Sequence, residues 1–140
     1  LVDADLRNPR QHEIFGLENS SGGLSGILSG RSEANVIRPV RDLPSLFVLP
    51  VGTLPPNPTE LVERPAFALL MRELVSKFDY VIVDTPAATY GADCAVIAAR
   101  CGAALALARK SLTRVDALQS LIGALSNTPA ELAGVVLNEY

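Results

Sequence analysis

Three aspartates stand out because each one follows or ends an apolar run. Asp3 and Asp5 close the run that opens the chain, and Asp84 ends the run Tyr80–Val83. Ligands of parallel sheets bind beyond the carboxyl ends of the strands, so we expect these three carboxylates to share one magnesium-sized site. Mg²⁺ takes few protein carboxylates and keeps water and phosphate oxygens as its other ligands. The pattern therefore predicts a site for magnesium together with a nucleotide.

Each aspartate also has a simpler structural interpretation. Asp3 or Asp5 alone could cap a helix or stabilise a turn, and Asp84 before Thr85-Pro86 could simply end a strand. The occurrence of all three at strand ends favours the functional hypothesis.

Alternating strand and helix patterns predict the elements that must position these residues. The chain has 140 residues, of which 49% are hydrophobic and only 5% aromatic, and this suits one buried core of parallel strands covered by helices. We therefore expect an α/β fold over residues 1–140 as a single domain, with a doubly wound, mainly parallel sheet and helices on both faces. The predicted strands are 1–5, 36–40, 46–50, 80–84, 103–108 and 134–138.

Helix boundaries are predicted from capping residues and apolar spacing. Thr59 is expected to cap a helix that begins near Glu60, and Pro65 suits the first turn of a helix that ends near Lys77. Further helices are expected over residues 10–16, 23–28, 93–100 and 114–126. Asp93 is interpreted as the cap of its helix, and Tyr80 is expected to be buried within a strand.

The composition disfavours several kinds of partner. A formal net charge of −3 gives no basic surface for nucleic acid. Cys94 and Cys101 are expected to be reduced and packed as small apolar residues, because two thiols cannot complete a zinc site. His12 is expected to lie at the surface or to be hydrogen-bonded.

Four segments in order carry a family resemblance. Residues 1–9, LVDADLRNP, and residues 78–86, FDYVIVDTP, resemble the second Walker A motif and the Walker B motif of bacterial tyrosine kinases. Residues 22–30, GGLSGILSG, are similar to the glycine-leucine segment of that family, and residues 49–61 to its proline-rich loop. The resemblance covers nearly the whole chain and implies a P-loop fold of the class that includes partitioning and septum-site ATPases.

The resemblance also implies roles for single residues, with ATP and Mg²⁺ as cofactors. Asp84 would hold Mg²⁺ through water, while Asp3 and Asp5 would orient the metal and accept the proton of the incoming tyrosine hydroxyl. Arg7 could contact a phosphate or form an ordinary surface ion pair. Asn138 matches the position that contacts adenine, although it could also be a turn residue at a strand end.

Two departures from the family affect the expected activity. No Gly-Lys-Ser or Gly-Lys-Thr occurs in the 140 residues, so the phosphate-binding loop is missing from them, and no tyrosine cluster follows Asn138. Because the chain begins within a strand pattern, we interpret it as the C-terminal portion of a kinase or ATPase domain. We expect it to be inactive alone.

The leading hypothesis is a protein tyrosine autokinase that regulates capsule or exopolysaccharide synthesis and export. The resemblance implies a cytoplasmic location at the inner face of the membrane. It also implies a transmembrane activator tail or a membrane segment of the same chain as partner, and a homo-oligomeric ring. The alternatives are a partitioning-type ATPase, which uses ATP to dimerise, and a catalytically silent interaction module.

These 140 residues should bind ATP·Mg²⁺ weakly, because the phosphate-binding loop normally supplies much of the affinity. Isothermal titration calorimetry of the isolated chain tests this. Submicromolar affinity would show that another segment replaces the loop.

Overall fold

A computed structural model describes residues 1–18, 22–31 and 34–140. The chain divides into two compact units, Leu1–Pro86 and Ala87–Tyr140, which are described separately. Within the described ranges, no helix is both long and apolar enough to cross a membrane. The interpretation of residues 1–140 as a single domain stays a prediction.

The first unit contains four strands and four helices among its described residues. In chain order they are β1 (Val2–Asp3), α1 (Gln11–Ile14), α2 (Leu24–Leu28), β2 (Arg38–Val40), β3 (Leu43–Val48), α3 (Pro58–Glu63), α4 (Pro65–Lys77) and β4 (Val83–Asp84).

Strand β1 lies inside this unit, with backbone hydrogen bonds on both sides. On one side it pairs in parallel with β4, and the amide of Ala4 donates to the carbonyl of Asp84 at 2.8 Å. On the other side the amide of Asp3 donates to the carbonyl of Leu49 at 2.9 Å. Val2, Ala4 and Leu49 are buried. The run that carries Asp3 is thus fixed by the packed interior of the unit.

Strands β2 and β3 form an antiparallel hairpin, as the two apolar runs predict. The connection is tighter than expected, because β3 already begins at Leu43. After β3 the chain continues through the buried residues 49–52 toward the proline-rich loop.

Helices α3 and α4 agree with the predictions from sequence, except for the residue that caps α3. Helix α4 begins at Pro65 and ends at Lys77 as predicted, and it buries Phe67, Leu70, Met71 and Leu74. The assignment of Thr59 as a cap is wrong, since α3 begins at Pro58 with Asn57 in the cap position. Proline suits the first helical turn because its fixed φ is helical and its missing N–H would have no partner there.

The prediction that Tyr80 is buried is also wrong. Its side chain is 88% exposed, and β4 is confined to Val83–Asp84. The preceding backbone still follows β1, because the amide of Val2 donates to the carbonyl of Ile82 at 2.8 Å. The apolar run therefore contributes a parallel strand, as expected, but its hydrophobicity did not predict the burial of every side chain.

The second unit is built on a parallel pair of strands. It contains a 3₁₀ turn (Ala88–Tyr90), α5 (Asp93–Cys101), β5 (Ala103–Arg109), α6 (Val115–Ser126) and β6 (Glu131–Asn138). Helix α6 connects β5 to β6, as parallel pairing requires a crossover. Strand β6 begins earlier than the predicted Gly134. Cys94 and Cys101 are free thiols, but the expected packing of Cys101 is wrong, because Cys101 is exposed whereas Cys94 is half-buried.

Asp93 opens α5 but does not cap it. The cap position belongs to Ala92, and the Asp93 side chain is only 4% exposed. Helix α5 ends at Gly102, whose φ of +84° is the left-handed conformation that favours glycine. The α/β fold with mainly parallel pairing, predicted from the alternating pattern, is confirmed.

Gly23 and Gly52 allow the start of α2 to pack closely against the residues that follow β3. The amides of Leu24 and Ser25 donate to the carbonyls of Pro50 and Val51 at 2.8 and 3.0 Å. A Cβ added at Gly23 would lie 2.5 Å from the amide nitrogen of Gly52 and 2.6 Å from the carbonyl oxygen of Pro50. Only glycine at residue 23 permits this approach, because the neighbouring atoms belong to the backbone.

Gly23→Ala should therefore lower the free energy of unfolding by on the order of 3 kcal/mol, since the backbone must move to accept the methyl group. Gly123→Ala is the matched control. Gly123 lies within α6 with open space around it, and alanine there should raise stability by about 0.5–1 kcal/mol. Urea denaturation of both variants tests the pair, and equal effects would contradict the close approach.

Candidate functional site

Asp3 is a fully buried carboxylate held by backbone amides. Its Oδ2 accepts a hydrogen bond from the amide of Gln11 at 3.0 Å, and its Oδ1 accepts one from the amide of Asp5 at 3.3 Å. The first amides of a helix have no partner within the helix, and Asp3 supplies one for α1. The aspartate at the end of β1 therefore fixes where the next helix begins.

Asp5 organises the loop between β1 and α1. Its Oδ1 accepts hydrogen bonds from the amides of Arg7 at 3.1 Å and Asn8 at 2.9 Å, an arrangement typical of aspartate in turns. These hydrogen bonds use one carboxylate oxygen, and Oδ2 takes no part in them. Asp5 is half-buried, whereas Asp3 has no exposed surface.

Asp84 lies beside Asp3 on the neighbouring strand. The two residues are register partners in the parallel β1–β4 pair, so both side chains belong to the carboxyl edge of this pair. Asp84 is half-buried, and its Oδ2 accepts a hydrogen bond from the side-chain Nε2 of Gln11 at 2.8 Å. Gln11 thus contacts both carboxylates, Asp3 with its backbone and Asp84 with its side chain.

The surroundings of Asp3 disfavour its charged form. Burial raises the pKa of the Asp3 carboxyl above its ordinary value, and the negative charges of Asp84 and Asp5 act in the same direction. The hydrogen bonds from the amides of Gln11 and Asp5 lower this pKa and offset part of the rise. A cation placed beside Asp3 and Asp84 would relieve their repulsion.

The expectation that all three aspartates share one magnesium site stays a prediction. Among the described residues, no group of three or more acidic, histidine or cysteine side chains is arranged to hold a metal ion. Asp5 differs from the other two aspartates in that its Oδ1 accepts two hydrogen bonds from the loop backbone. Asp3 and Asp84 remain together, and two carboxylates with water and phosphate oxygens fit the ligand preference of Mg²⁺.

Arg7 connects the loop after β1 to helix α3. Its Nη2 donates a hydrogen bond to the Oγ1 of Thr59 at 3.0 Å. The hydroxyl group of Thr59, which was predicted to cap α3, therefore accepts a hydrogen bond from Arg7 in the loop between β1 and α1. Whether Arg7 also contacts a phosphate stays a prediction.

Asn138 ends β6 in the second unit. Its side-chain Oδ1 accepts a hydrogen bond from the amide of Tyr140 at 3.2 Å, and its carbonyl accepts one from the amide of Lys110 at 2.8 Å. The first of these contacts is the one expected of a turn residue at a strand end. The role in adenine binding stays a prediction.

Gln11 was not identified from the sequence, because its contact with Asp84 spans 73 positions and no local pattern marks it. His12 is half-buried, and its Nδ1 is buried without a hydrogen-bond partner. The expectation that His12 lies at the surface or is hydrogen-bonded stays a prediction.

A separate groove lies in the first unit, and apolar residues dominate its lining. The groove, measured together with the open solvent at its mouth, has a volume of about 420 Å³ and is bordered by Leu46, Phe47, Leu74 and Phe78, with Tyr80 at its side. The rings of Phe47 and Phe78 are 5.5 Å apart. None of the three aspartates lines this groove, so the acidic site and the groove are distinct.

The chain is similar in sequence to several bacterial tyrosine-protein kinases. No protein-family model matches it. It is 31% identical over 139 residues to the tyrosine-protein kinase Wzc of Salmonella typhimurium and 29% identical to the tyrosine-protein kinase CpsD of Streptococcus agalactiae. Each match covers 99% of this chain, but only 19% of Wzc and 61% of CpsD. The chain therefore spans less than two thirds of these relatives.

Solved structures agree with the sequence matches. The kinase domain of the Escherichia coli tyrosine kinase ETK superposes with a TM-score of 0.91 at 33% identity, covering 98% of this chain and 53% of that one. The Pyrococcus furiosus cell division ATPase MinD gives a TM-score of 0.80 at 21% identity, covering 99% of this chain and 58% of that one, and shows the fold alone. The predicted resemblance to tyrosine kinases and the predicted P-loop type of fold are both confirmed.

Asparagine substitutions should affect Asp3 and Asp5 differently. Asparagine at residue 5 keeps one oxygen for both turn amides, so stability should change by less than about 0.5 kcal/mol. Asparagine at residue 3 would turn its NH₂ group toward one of two backbone amides. This buried mismatch should cost about 1–3 kcal/mol, partly offset by the lost repulsion with Asp84. Urea denaturation compares the two, and equal stabilities would contradict the hydrogen bonding described for Asp3.

Proposed function

We propose that this chain is part of an ATP-dependent protein tyrosine autokinase that regulates the biosynthesis and export of capsular or extracellular polysaccharide. One observation carries the proposal: Asp3 and Asp84 lie side by side at the carboxyl edge of two parallel strands in a chain whose relatives are tyrosine-protein kinases. Phosphoryl transfer requires the neutralisation and positioning of charge more than covalent help from the protein.

Asp3 and Asp84 are the residues that would hold Mg²⁺, with Asp84 acting through water. When bound with ATP, the metal would neutralise phosphate charge. The full burial of Asp3 and the two amides on its oxygens suit a fixed electrostatic role at the base of the site. A buried group without exposed surface is poorly placed to meet an incoming peptide.

Asp5 is better placed to accept the proton of the tyrosine hydroxyl. It is half-buried, its Oδ1 is fixed by two backbone amides, and its Oδ2 is not used by the turn. The turn therefore holds the carboxylate in one orientation while one oxygen can meet a substrate. Arg7, bonded to Thr59 in α3, would steady the same loop and could approach a phosphate. Asn138 would contact adenine.

The partner and location follow from the same proposal. The kinase would work in the cytoplasm at the inner face of the membrane, through a membrane segment of the same chain or the cytoplasmic tail of a transmembrane activator. The coverage of only part of Wzc and CpsD is compatible with either arrangement. A homo-oligomeric ring would let one copy phosphorylate another.

A partitioning-type ATPase is the second candidate, favoured by the fold shared with MinD. Such a protein would need the metal pair but no acceptor for a tyrosine proton. A silent interaction module would need neither.

Asp5→Asn in the full-length protein should lower the rate of phosphotyrosine formation by about 10²–10⁴-fold, because asparagine keeps the turn but cannot accept a proton. Asp42→Asn, an exposed aspartate in the β2–β3 turn, is the matched control and should retain normal activity. Anti-phosphotyrosine blots measure phosphotyrosine formation, and ATP-binding titrations measure nucleotide binding separately.

ATP hydrolysis without phosphotyrosine in the wild-type protein would favour the partitioning ATPase. Absence of both nucleotide binding and turnover would favour the interaction module. Normal phosphotyrosine formation by Asp5→Asn would remove Asp5 from the mechanism.

A further inference from the structure

We infer that Gln11 is a positioning residue that sets the spacing of Asp3 and Asp84 for the metal ion, an inference that rests on the proposed kinase function. The side-chain amide of Gln11 donates to the Oδ2 of Asp84, and its backbone amide donates to the Oδ2 of Asp3. One residue therefore connects the two carboxylates that end neighbouring strands. This connection joins the β1–α1 loop to β4.

The chemistry of glutamine suits this position. The side-chain amide donates a hydrogen bond to Asp84 without adding charge to a site that already holds two carboxylates. A lysine there would neutralise the pair and compete with a metal, whereas a glutamate would add to the repulsion. Groups that orient metal-binding carboxylates commonly tune the affinity of the metal.

The two contacts of Gln11 can be separated by substitution. The backbone amide at residue 11 remains available to Asp3 with any side chain except proline, because it belongs to the first turn of α1. Gln11→Leu therefore removes the hydrogen bond to Asp84 and keeps the one to Asp3. Gln119→Leu is the matched control, since Gln119 is exposed on α6.

Metal binding is the direct test in the full-length protein. With Mn²⁺ as the probe and ADP present, electron paramagnetic resonance of free Mn²⁺ should show about tenfold weaker binding for Gln11→Leu and no change for Gln119→Leu. ADP binding in the presence of a chelator should be unchanged in both variants, since the substitution acts on the metal. The Mg²⁺ concentration for half-maximal autophosphorylation should rise by a similar factor.

Gln11→Lys gives an independent test, because it should stabilise the metal-free protein and weaken metal binding at the same time. An ammonium group near Asp84 should raise the melting temperature in chelator and also weaken Mn²⁺ binding, because it takes the place of the metal's charge. A purely structural role for Gln11 predicts that stability and metal affinity change in the same direction. The melting temperature and the Mn²⁺ affinity are measured on the same samples.

A double-mutant cycle tests whether Gln11 acts through Asp84. In the Asp84→Asn background, Gln11→Leu should have little further effect on Mn²⁺ affinity, since the contact is already altered. Full additivity, or unchanged Mn²⁺ affinity in both Gln11→Leu and Gln11→Lys, would overturn the inference. If the wild-type protein binds Mn²⁺·ADP and forms phosphotyrosine in that case, the proposed function stands. Absence of both in the wild type would instead remove the proposed function.

Discussion

The hydrogen bonding of a buried carboxylate determines much of the site. An ionised group inside a protein is costly unless donors surround it, and Asp3 meets this need with the amides of Asp5 and Gln11. Those two contacts fix the beginning and the end of the loop that follows β1. The turn at Asp5 and the first residue of α1 are therefore positioned by the same side chain that repels Asp84.

The sequence predicted the elements whose causes are local. Apolar runs ended by Asp3 and Asp84 indicated two parallel strands, and Pro65 indicated the start of α4. Gln11 could not be found in this way, because its partner lies on another element and no periodicity links the two residues. Thr59 was assigned to a cap because of its type, whereas proline and asparagine placed the helix start earlier.

Burial was harder to predict than position. Tyr80 was expected within a strand and Asp93 at a helix cap, but Tyr80 precedes β4 and Asp93 lies inside α5, and the exposure of each side chain is the reverse of what its type suggests. A tyrosine in an apolar run is expected to be inside, and an aspartate at a helix start is expected to be outside. Burial depends on which other elements cover a residue, and no local pattern specifies that.

The long separation between Gln11 and Asp84 has a consequence for the order of folding. A contact across 73 positions requires closure of a long loop, which costs entropy before any stabilisation is gained. The segment up to α3 can form its turns and short helices from near neighbours, but the second carboxylate is supplied only after α4 has been made. During synthesis on the ribosome, the acidic pair therefore cannot exist until the nascent chain extends beyond Asp84. Asp3 and Asp84 therefore come together late, when synthesis of the first unit is nearly complete.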